Sequence, residues 1–141
     1  MNVPVKPTVM IVDDEENFTE SLQLAIEDEF TVSVVGSLES ARQALKSFQP
    51  AAILLDLRLP DGDGLELFPD LKKLAEIPVV IVMTAHASLE SYAKTLGEGG
   101  IDYLVKPLNI EKLKSELKKN ITNNREQGRS DEQNKRGEGE L

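Results

Sequence analysis

Three aspartates stand directly after apolar stretches: Asp13 and Asp14 follow TVMIV, and Asp56 follows AAILL. Two unit charges about 4 Å apart repel by roughly 4 kcal/mol at an effective dielectric constant near 20, so a fold that gathers such acids favours a cation among them. Carboxylate oxygens without histidine or thiolate select a hard ion. The predicted cofactor is therefore Mg²⁺, with Mn²⁺ as its substitute.

Two further reactive groups follow other apolar stretches: the hydroxyl of Thr84 and the ammonium of Lys106. A hard cation, an ammonium and a hydroxyl around one aspartate make a site for phosphoryl transfer. In such a site Asp56 attacks phosphorus and forms an aspartyl phosphate, while the metal and Lys106 neutralise the charge on the phosphoryl oxygens. Each residue taken alone has a plainer explanation, with Asp13 or Asp14 as a helix cap and Lys106 as a solvated strand end.

Apolar, β-branched runs alternate along the chain with segments of helical period, and this alternation predicts how the reactive groups are positioned. The predicted strands cover residues 8–13, 31–36, 51–56, 79–85 and 102–107. Runs that are almost continuously apolar are typical of strands covered on both faces, so the pattern predicts an α/β fold with a five-stranded parallel sheet and helices on both faces. The pattern leaves the strand order open, but the carboxyl ends of parallel strands share one edge, where ligands bind. Ser37 and Asn109 are predicted to cap the second and fifth helices.

Length and charge limit the other classes of function. At 141 residues the chain has room for one domain with a core, and its net charge of −9 argues against direct binding to nucleic acid or to an anionic membrane. The chain has no cysteine, which excludes disulfides and thiolate chemistry. It also lacks an apolar stretch long enough for a signal peptide or a membrane span, so we expect a soluble, cytoplasmic protein.

The end of the chain differs in composition from the rest. Residues 122–141 mix charges of both signs with glycines and hold one large apolar side chain, Leu141. Such a segment buries too little surface to offset its ordering entropy, so we predict a disordered charged tail or linker remnant there. The folded domain is predicted over residues 6–121.

Four motifs, in this order and at these intervals, make the sequence similar to a known family: VDDE (12–15), LLDLRLPDGDGLEL (54–67), MTA (83–85) and YLVKP (103–107). Over residues 6–121 the chain resembles the receiver domain of two-component response regulators. The segments DLRLPDGDGLEL and MTAHAS further resemble receivers attached to transcriptional activators. The resemblance implies a flavodoxin-like strand order, 2-1-3-4-5.

The resemblance also implies a role for the matching residues of the metal site. Asp56 matches the phosphoacceptor and Asp14 the direct metal ligand, whereas Asp13 matches the acid that holds a metal-bound water. Arg58 is expected to offer its backbone carbonyl to the metal. Its side chain stands two residues past the acceptor, a position that influences phosphate hydrolysis in receivers.

Other matching residues contact the phosphoryl group or carry its signal. Thr84 and Lys106 match the residues that grip the phosphoryl oxygens, and Tyr103 matches the switch aromatic. The peptide bond between Lys106 and Pro107 is expected to be cis. His86, two residues past the threonine, is expected to influence the rate of phosphate hydrolysis.

By the same resemblance, the function is that of a phosphoacceptor in a two-component phosphorelay. The expected phosphodonor is the phosphohistidine of a sensor histidine kinase or of a histidine phosphotransfer protein. The domain would catalyse only its own phosphorylation and dephosphorylation, and the phosphate would alter the surface formed by the fourth helix, the fifth strand and the fifth helix. That surface allows a phosphorylation-dependent homodimer, and no direct contact with nucleic acid or membrane is expected.

Two alternative functions remain beside this interpretation. A phosphohydrolase of the haloacid dehalogenase type also uses an aspartate nucleophile, but it needs a second aspartate where Arg58 stands, and it usually carries a cap domain for which the chain has no room. A receiver that works as a docking module without phosphorylation is the other. The segment GDGLEL (62–67) fits neither a dinucleotide fingerprint nor a calcium loop, because Leu67 and Leu65 stand where a glycine and an oxygen ligand belong. Whether the chain acts alone, as a phosphorelay intermediate or as part of a longer regulator stays open.

Overall fold

A computed structural model describes the backbone of residues 5–139 and the side chains of residues 5–126. Its central sheet has five parallel strands. They are β1 (Thr8–Val12), β2 (Thr31–Val35), β3 (Ala52–Asp56), β4 (Val79–Thr84) and β5 (Asp102–Val105). Their order across the sheet is β2-β1-β3-β4-β5, which confirms the predicted flavodoxin-like arrangement.

Helices connect the strands and lie on both faces of the sheet. They are α1 (Glu16–Ile26), α2 (Leu38–Leu45), α3 (Phe68–Lys72), α4 (Leu89–Glu98) and α5 (Ile110–Gly139). A short antiparallel ribbon pairs Arg58–Leu59 with Gly62–Asp63, and a 3-10 turn, Gly64–Leu67, leads into α3. The side chains of Ser37 and Asn109 accept helical N–H groups at the starts of α2 and α5, which confirms both predicted caps. None of the described helices has the length and apolar character that a membrane span requires.

Successive residues of the central strands point to opposite faces of the sheet, and each face is covered by helices. In β1, Val9 and Ile11 pack in a cluster with residues of α1 and α5. Met10 and Val12 pack in a second cluster with residues of α2 and α3. Every residue of β3 and β4 is buried, which is why these strands are almost continuously apolar.

The register of the strands brings their carboxyl ends to one edge of the sheet. Leu55 of β3 pairs with Val12 of β1, so the residues that follow, Asp56 and Asp13, stand side by side. On its other side, Asp56 pairs with Met83 of β4. The parallel sheet therefore positions the predicted acids together.

The last helix extends beyond the predicted boundary of the folded domain. Among its described side chains the last buried one is Ile121. Its helical backbone is described as far as Gly139. The disorder predicted for residues 122–141 stays a prediction. Residues 1–4 and 140–141 lie outside the described part of the chain.

Candidate functional site

The carboxyl edge of the sheet gathers the three predicted aspartates. One carboxylate oxygen of each of Asp13, Asp14 and Asp56 lies within 4.8 Å of the others. The Asp13 side chain is fully buried and that of Asp56 is 11% exposed, whereas Asp14 is exposed. These three acids, together with Lys106, are called the acid rim below.

Lys106 adds a positive charge to the acid rim from the end of β5. Its Nζ donates to Asp13 Oδ2 at 2.6 Å and to Asp56 Oδ2 at 3.2 Å, and its side chain is 11% exposed. The ring centroid of Phe18, from α1, lies 4.0 Å from Nζ, and an aromatic face at this distance stabilises a cation. The peptide bond between Lys106 and Pro107 is cis, as expected.

The charges of the acid rim do not balance. Three carboxylates and one ammonium leave a surplus of two negative charges. Burial raises the pKa of Asp13, and the hydrogen bond from Lys106 offsets this in part. Burial acts to lower the pKa of Lys106, but the hydrogen bond from Lys106 to Asp13 and the charges of Asp13 and Asp56 outweigh it, so the pKa of Lys106 is raised. Lys106 therefore stays protonated, and the surplus charge with its hard oxygen ligands suits Mg²⁺.

Each buried acid of the rim uses both of its oxygens as acceptors. Asp13 Oδ1 accepts from the Glu15 N–H at 2.9 Å, and Asp56 Oδ1 accepts from the Arg58 N–H at 3.2 Å. Both Oδ2 atoms accept from Lys106. The residue at the N-cap position of α1 is Glu15 and makes no side-chain capping bond, so the helix-cap explanation of the aspartates does not hold.

A cleft beside the acid rim contains the predicted threonine. Thr84 is 1% exposed, and its Oγ1 accepts from the His86 N–H at 3.0 Å. Thr84, His86 and Arg58 line this cleft, which has a volume of about 460 Å³. The two residues expected to influence hydrolysis thus share one cleft with Thr84. The metal contact of the Arg58 carbonyl stays a prediction.

Tyr103 is a residue of β5, and its side chain contacts the start of α4. Its hydroxyl accepts from the Ser88 N–H at 3.2 Å and lies 2.5 Å from Ser91 Oγ. Its ring packs edge-to-face against Tyr92, with ring centroids 5.6 Å apart. These contacts join Tyr103 to α4, and its role as a switch stays a prediction.

Gly64 allows the loop after β3 to pass close to the predicted phosphoacceptor. A Cβ at this position would lie 2.1 Å from the carbonyl oxygen of Asp56. The Gly64 N–H also donates to the carbonyl of Leu57 at 2.8 Å. Any side chain at this position would therefore push the loop away from Asp56.

Two contacts of the site are not indicated by the sequence. Phe18 has the helical spacing of a core residue, and nothing local signals its contact with a cation. Asp61 accepts from the N–H groups of Leu38 and Glu39 at 2.9 and 3.0 Å, and these bonds lower the pKa of its carboxyl. Both contacts join distant segments, so no motif within one segment reveals them.

The site and the fold together match a known family. Residues 9–118 match the family of the response regulator receiver domain. The chain belongs to the response regulator receiver family. This receiver is a signalling domain of a two-component system, and the assignment removes the phosphohydrolase alternative.

The receiver has curated relatives that are longer than this chain. It is 35% identical over 123 residues to the DNA-binding transcriptional regulator NtrC of Proteus hauseri. It is 36% identical over 111 residues to the KDP operon transcriptional regulatory protein KdpE of Escherichia coli. These matches cover 86% and 78% of the receiver, but it spans only 26% and 49% of the two relatives. The resemblance to receivers of the transcriptional-activator type is thereby confirmed.

Solved structures show the same fold. A CheY-like response regulator receiver domain from Methanospirillum hungatei JF-1 superposes with a TM-score of 0.81 at 26% identity, over 88% of this receiver and 99% of that chain. The beryllofluoride-activated NtrC4 receiver domain dimer superposes with a TM-score of 0.77 at 31% identity, over 83% of this receiver and 98% of that chain.

Proposed function

We propose that this receiver takes up a phosphoryl group on Asp56 in a reaction that depends on Mg²⁺. The observation that carries the proposal is the acid rim, in which acids from β1 and β3 and the lysine after β5 converge at one edge of the sheet. Buried charge of one sign costs stability unless an opposite charge balances it. In a phosphoryl site the balancing cation also takes part in the chemistry.

The acid rim would hold the metal through hard oxygen ligands. Asp14 and Asp56 would bind it directly, together with the backbone carbonyl of Arg58, and Asp13 would hold a metal-bound water. Lys106 contacts Asp13 more closely than Asp56, at 2.6 Å against 3.2 Å, which favours the indirect role for Asp13. When bound, Mg²⁺ neutralises charge on the phosphoryl oxygens and orients the group for attack. Mn²⁺ prefers the same oxygen ligands.

The proposed phosphodonor is the phosphohistidine of a sensor histidine kinase or of a histidine phosphotransfer protein. An oxygen of Asp56 forms a bond to phosphorus while the phosphorus–nitrogen bond breaks, and the nitrogen keeps the electron pair of that bond. Lys106, whose Nζ lies 3.2 Å from Asp56 Oδ2, donates to the phosphoryl oxygens and stabilises their charge.

Hydrolysis returns the receiver to its starting state. A water oxygen attacks phosphorus, the bond from Asp56 to phosphorus breaks, and the products are the carboxylate and inorganic phosphate. Arg58 and His86 line the cleft beside Asp56 and would limit access of this water. The receiver catalyses these two reactions on itself alone.

Thr84 and Tyr103 are proposed to transmit the presence of the phosphate. The Thr84 hydroxyl would donate to a phosphoryl oxygen, and Tyr103 would move into the space that Thr84 leaves. Moving a two-state equilibrium from 1:99 to 99:1 takes roughly 5.5 kcal/mol. Charge-assisted contacts of about 1.5 to 3 kcal/mol each, made by Lys106, Thr84 and the metal, supply this amount.

The surface formed by α4, β5 and α5 is the proposed output surface. It exposes several large apolar side chains. Their exposed fractions are 83% for Leu89, 45% for Leu96, 42% for Ile101 and 52% for Val105. Clustered exposed apolar groups favour burial against a partner. The similarity to a beryllofluoride-activated receiver dimer supports a homodimer that forms on phosphorylation. The acidic net charge of −9 supports a receiver that contacts neither nucleic acid nor membrane directly. The cytoplasm is its proposed location.

Residues 6–121 are proposed to form the folded receiver, with residues 122–141 as a charged tail or linker remnant. Burial in α5 extends as far as Ile121, and an ion pair of 3.0 Å between Lys114 and Asp28 joins α5 to the end of α1. Limited proteolysis that removes the tail and leaves a product ending near residue 121 would support this boundary. A protected tail would contradict it.

Intact-mass measurement after incubation with Mg²⁺ and acetyl phosphate tests the proposed phosphorylation. We expect one added phosphoryl group on the unmodified chain, and none after Mg²⁺ is removed with EDTA or in Asp56→Asn. Asp63→Asn is the matched control, because Asp63 is an exposed aspartate of the ribbon that follows, and it should be phosphorylated like the unmodified chain. An equal mass gain in Asp56→Asn refutes the assignment. If the unmodified chain gains no mass, the remaining function is that of a docking module that works without phosphorylation.

A further inference from the structure

The tetrapeptide SLES occurs twice in the chain and starts two helices in the same way, at residues 37–40 before α2 and at residues 88–91 before α4. In each copy the first serine hydroxyl accepts from the N–H of the second serine, at 3.0 and 3.1 Å. In each copy the two hydroxyls are also in contact, at 2.8 and 2.9 Å. The second hydroxyl donates to the carbonyl of the first serine, at 3.1 and 3.2 Å. The two capping turns therefore form a matched pair.

The two turns differ in the group that completes them. At α2 the N–H groups next to the turn are capped by the carboxylate of Asp61. At α4 the Tyr103 hydroxyl accepts from the Ser88 N–H at 3.2 Å and lies 2.5 Å from Ser91 Oγ. At α2 the Ser40 hydroxyl accepts from the Ser37 N–H at 3.0 Å, whereas at α4 the Tyr103 hydroxyl takes the place of that acceptor. Ser91 thus has a contact with the proposed switch residue where its counterpart, Ser40, has a contact with the backbone of its own turn.

This contact lies at the end of the loop that begins at Thr84. Thr84 Oγ1 holds the loop through the His86 N–H, and Ser88 follows two residues later. If Tyr103 moves into the space that Thr84 leaves, its hydroxyl has to separate from Ser91 Oγ. The contact between Ser91 and Tyr103 therefore opposes the movement that the phosphate drives.

We propose that Ser91 is a positioning residue of the switch, whose hydroxyl holds Tyr103 against the start of α4 and thereby sets how readily the receiver becomes active. The proposal rests on the proposed function, because that function gives Tyr103 its role. A neutral hydrogen bond of ordinary net strength changes an equilibrium about fivefold. Loss of the Ser91 hydroxyl shifts the receiver toward the active arrangement by this factor, so a ligand that binds that arrangement acts at a lower concentration.

A titration of the full chain with beryllofluoride in the presence of Mg²⁺, followed by amide NMR signals, tests the proposal. Ser91→Ala is expected to lower the half-saturating beryllofluoride concentration about fivefold. Ser91→Thr keeps a hydroxyl and is expected to restore the value of the unmodified chain. Ser40→Ala is the matched control, because it breaks the same capping turn at α2. It should lower the melting temperature as Ser91→Ala does and leave the half-saturating concentration unchanged.

A second pair of variants separates the switch contact from helix capping. Tyr103→Phe removes the same hydrogen bond from the other side, so adding Ser91→Ala to Tyr103→Phe is expected to cause no further shift. A shift that persists in this double variant, or an equal shift from Ser40→Ala, overturns the proposal while the proposed function stands. An unmodified chain that fails to bind beryllofluoride overturns the proposed function, and this proposal with it.

Discussion

The acid rim and the neighbouring edge formed by α4 and β5, the α4–β5 edge, are held in place differently. The strands that carry the aspartates of the rim, β1 and β3, are buried at every position except Thr8, which is partly exposed. Within the described residues, β5 has no buried position and α4 has one, Thr95. Buried ion pairs hold the rim, whereas neutral hydroxyl contacts, the packing of Tyr92 on Tyr103 and an exposed ion pair between Lys72 and Glu98 hold the α4–β5 edge.

This difference separates a part that must stay fixed from a part that must move. Phosphoryl transfer depends on oxygens and an ammonium held in place before the reaction, and buried strands supply that. A signal requires a segment whose rearrangement costs little, and elements with few buried contacts open most easily. In the proposed function, the chemistry therefore lies at the ends of buried strands and the response in α4, which has one buried residue.

The largest difference is expected from removing one ammonium in each region. Lys106→Met leaves Asp13 and Asp56 without their counter-charge, and breaking a buried ion pair costs about 3 to 5 kcal/mol. Lys72→Met breaks the 2.9 Å contact with Glu98 at the end of α4. The side chains of Lys72 and Glu98 are 50% and 42% exposed. Exposed pairs contribute less than about 1 kcal/mol. Urea unfolding in metal-free buffer measures both, and equal losses would contradict the distinction between rim and edge.

Glycine replacement is expected to give opposite signs in the two regions. Gly64→Ala places a Cβ 2.1 Å from the Asp56 carbonyl oxygen, and such overpacking destabilises by about 1 to 3 kcal/mol. Gly97→Ala, in α4, meets nothing within 4 Å and should stabilise the helix by about 0.5 to 1 kcal/mol. Thermal unfolding of both variants measures these changes in stability. A destabilising Gly97→Ala would show that α4 is packed more tightly than its exposure indicates.

A smaller, pH-dependent change is expected where α5 meets β5. Glu116 Oε2 is buried and accepts from no N–H or hydroxyl group of the described residues. Glu116 shares a hydrogen bond with the Asp102 carboxyl, and this bond requires one of the two acids to keep its proton. Together with partial burial, it raises the pKa of Glu116 from 4.5 to about 7. The folded state then binds this proton more tightly than the unfolded chain does, so the free energy of unfolding falls as pH rises from 4.5 to 7.

Variants of two glutamates in the same helix test this pH dependence. Glu116→Gln removes the titrating group, so its unfolding free energy should fall less between these pH values than that of the unmodified chain. Glu111→Gln replaces an exposed glutamate of α5 and should keep the original slope. Urea unfolding at a series of pH values measures the slope of the unfolding free energy against pH. The same slope for all three proteins would refute the shared proton.

The smallest change in stability is expected from exposed leucines. Leu89→Ser on α4 and Leu24→Ser on α1 replace side chains that are 83% and 71% exposed, so each should alter the unfolding free energy by less than about 0.5 kcal/mol. Their effects on assembly should differ. Analytical ultracentrifugation with beryllofluoride is expected to show a weaker dimer for Leu89→Ser alone. A weaker dimer for Leu24→Ser would instead indicate that the interface includes α1.

The acid rim could be predicted because its residues stand at the ends of apolar runs. Parallel strands bring such ends to one edge whatever their order, so Asp13, Asp56 and Lys106 needed no tertiary information to be placed together. The strand order came from the family resemblance alone. The roles of these residues stay predictions, since geometry shows proximity and charge but no reaction.

The rest depends on contacts between segments that no local pattern encodes. The two SLES turns show this, because the same four residues form the same contact between serine hydroxyls at both helices. Yet Asp61 completes one turn and Tyr103 the other, and only the fold selects these partners. The structure describes a helical backbone for α5 as far as Gly139, and the disorder predicted for residues 122–141 stays a prediction.

The acid rim is assembled from widely separated parts of the chain, since Lys106 lies 93 residues after Asp13 and 50 residues after Asp56. During synthesis the acids leave the ribosome well before the lysine, because domains emerge from the N-terminus onward. A nascent chain interrupted ahead of β5 carries the aspartates without their ammonium. The complete acid rim, and with it the proposed phosphoryl uptake, therefore exists only after β5 and Lys106 have been synthesised.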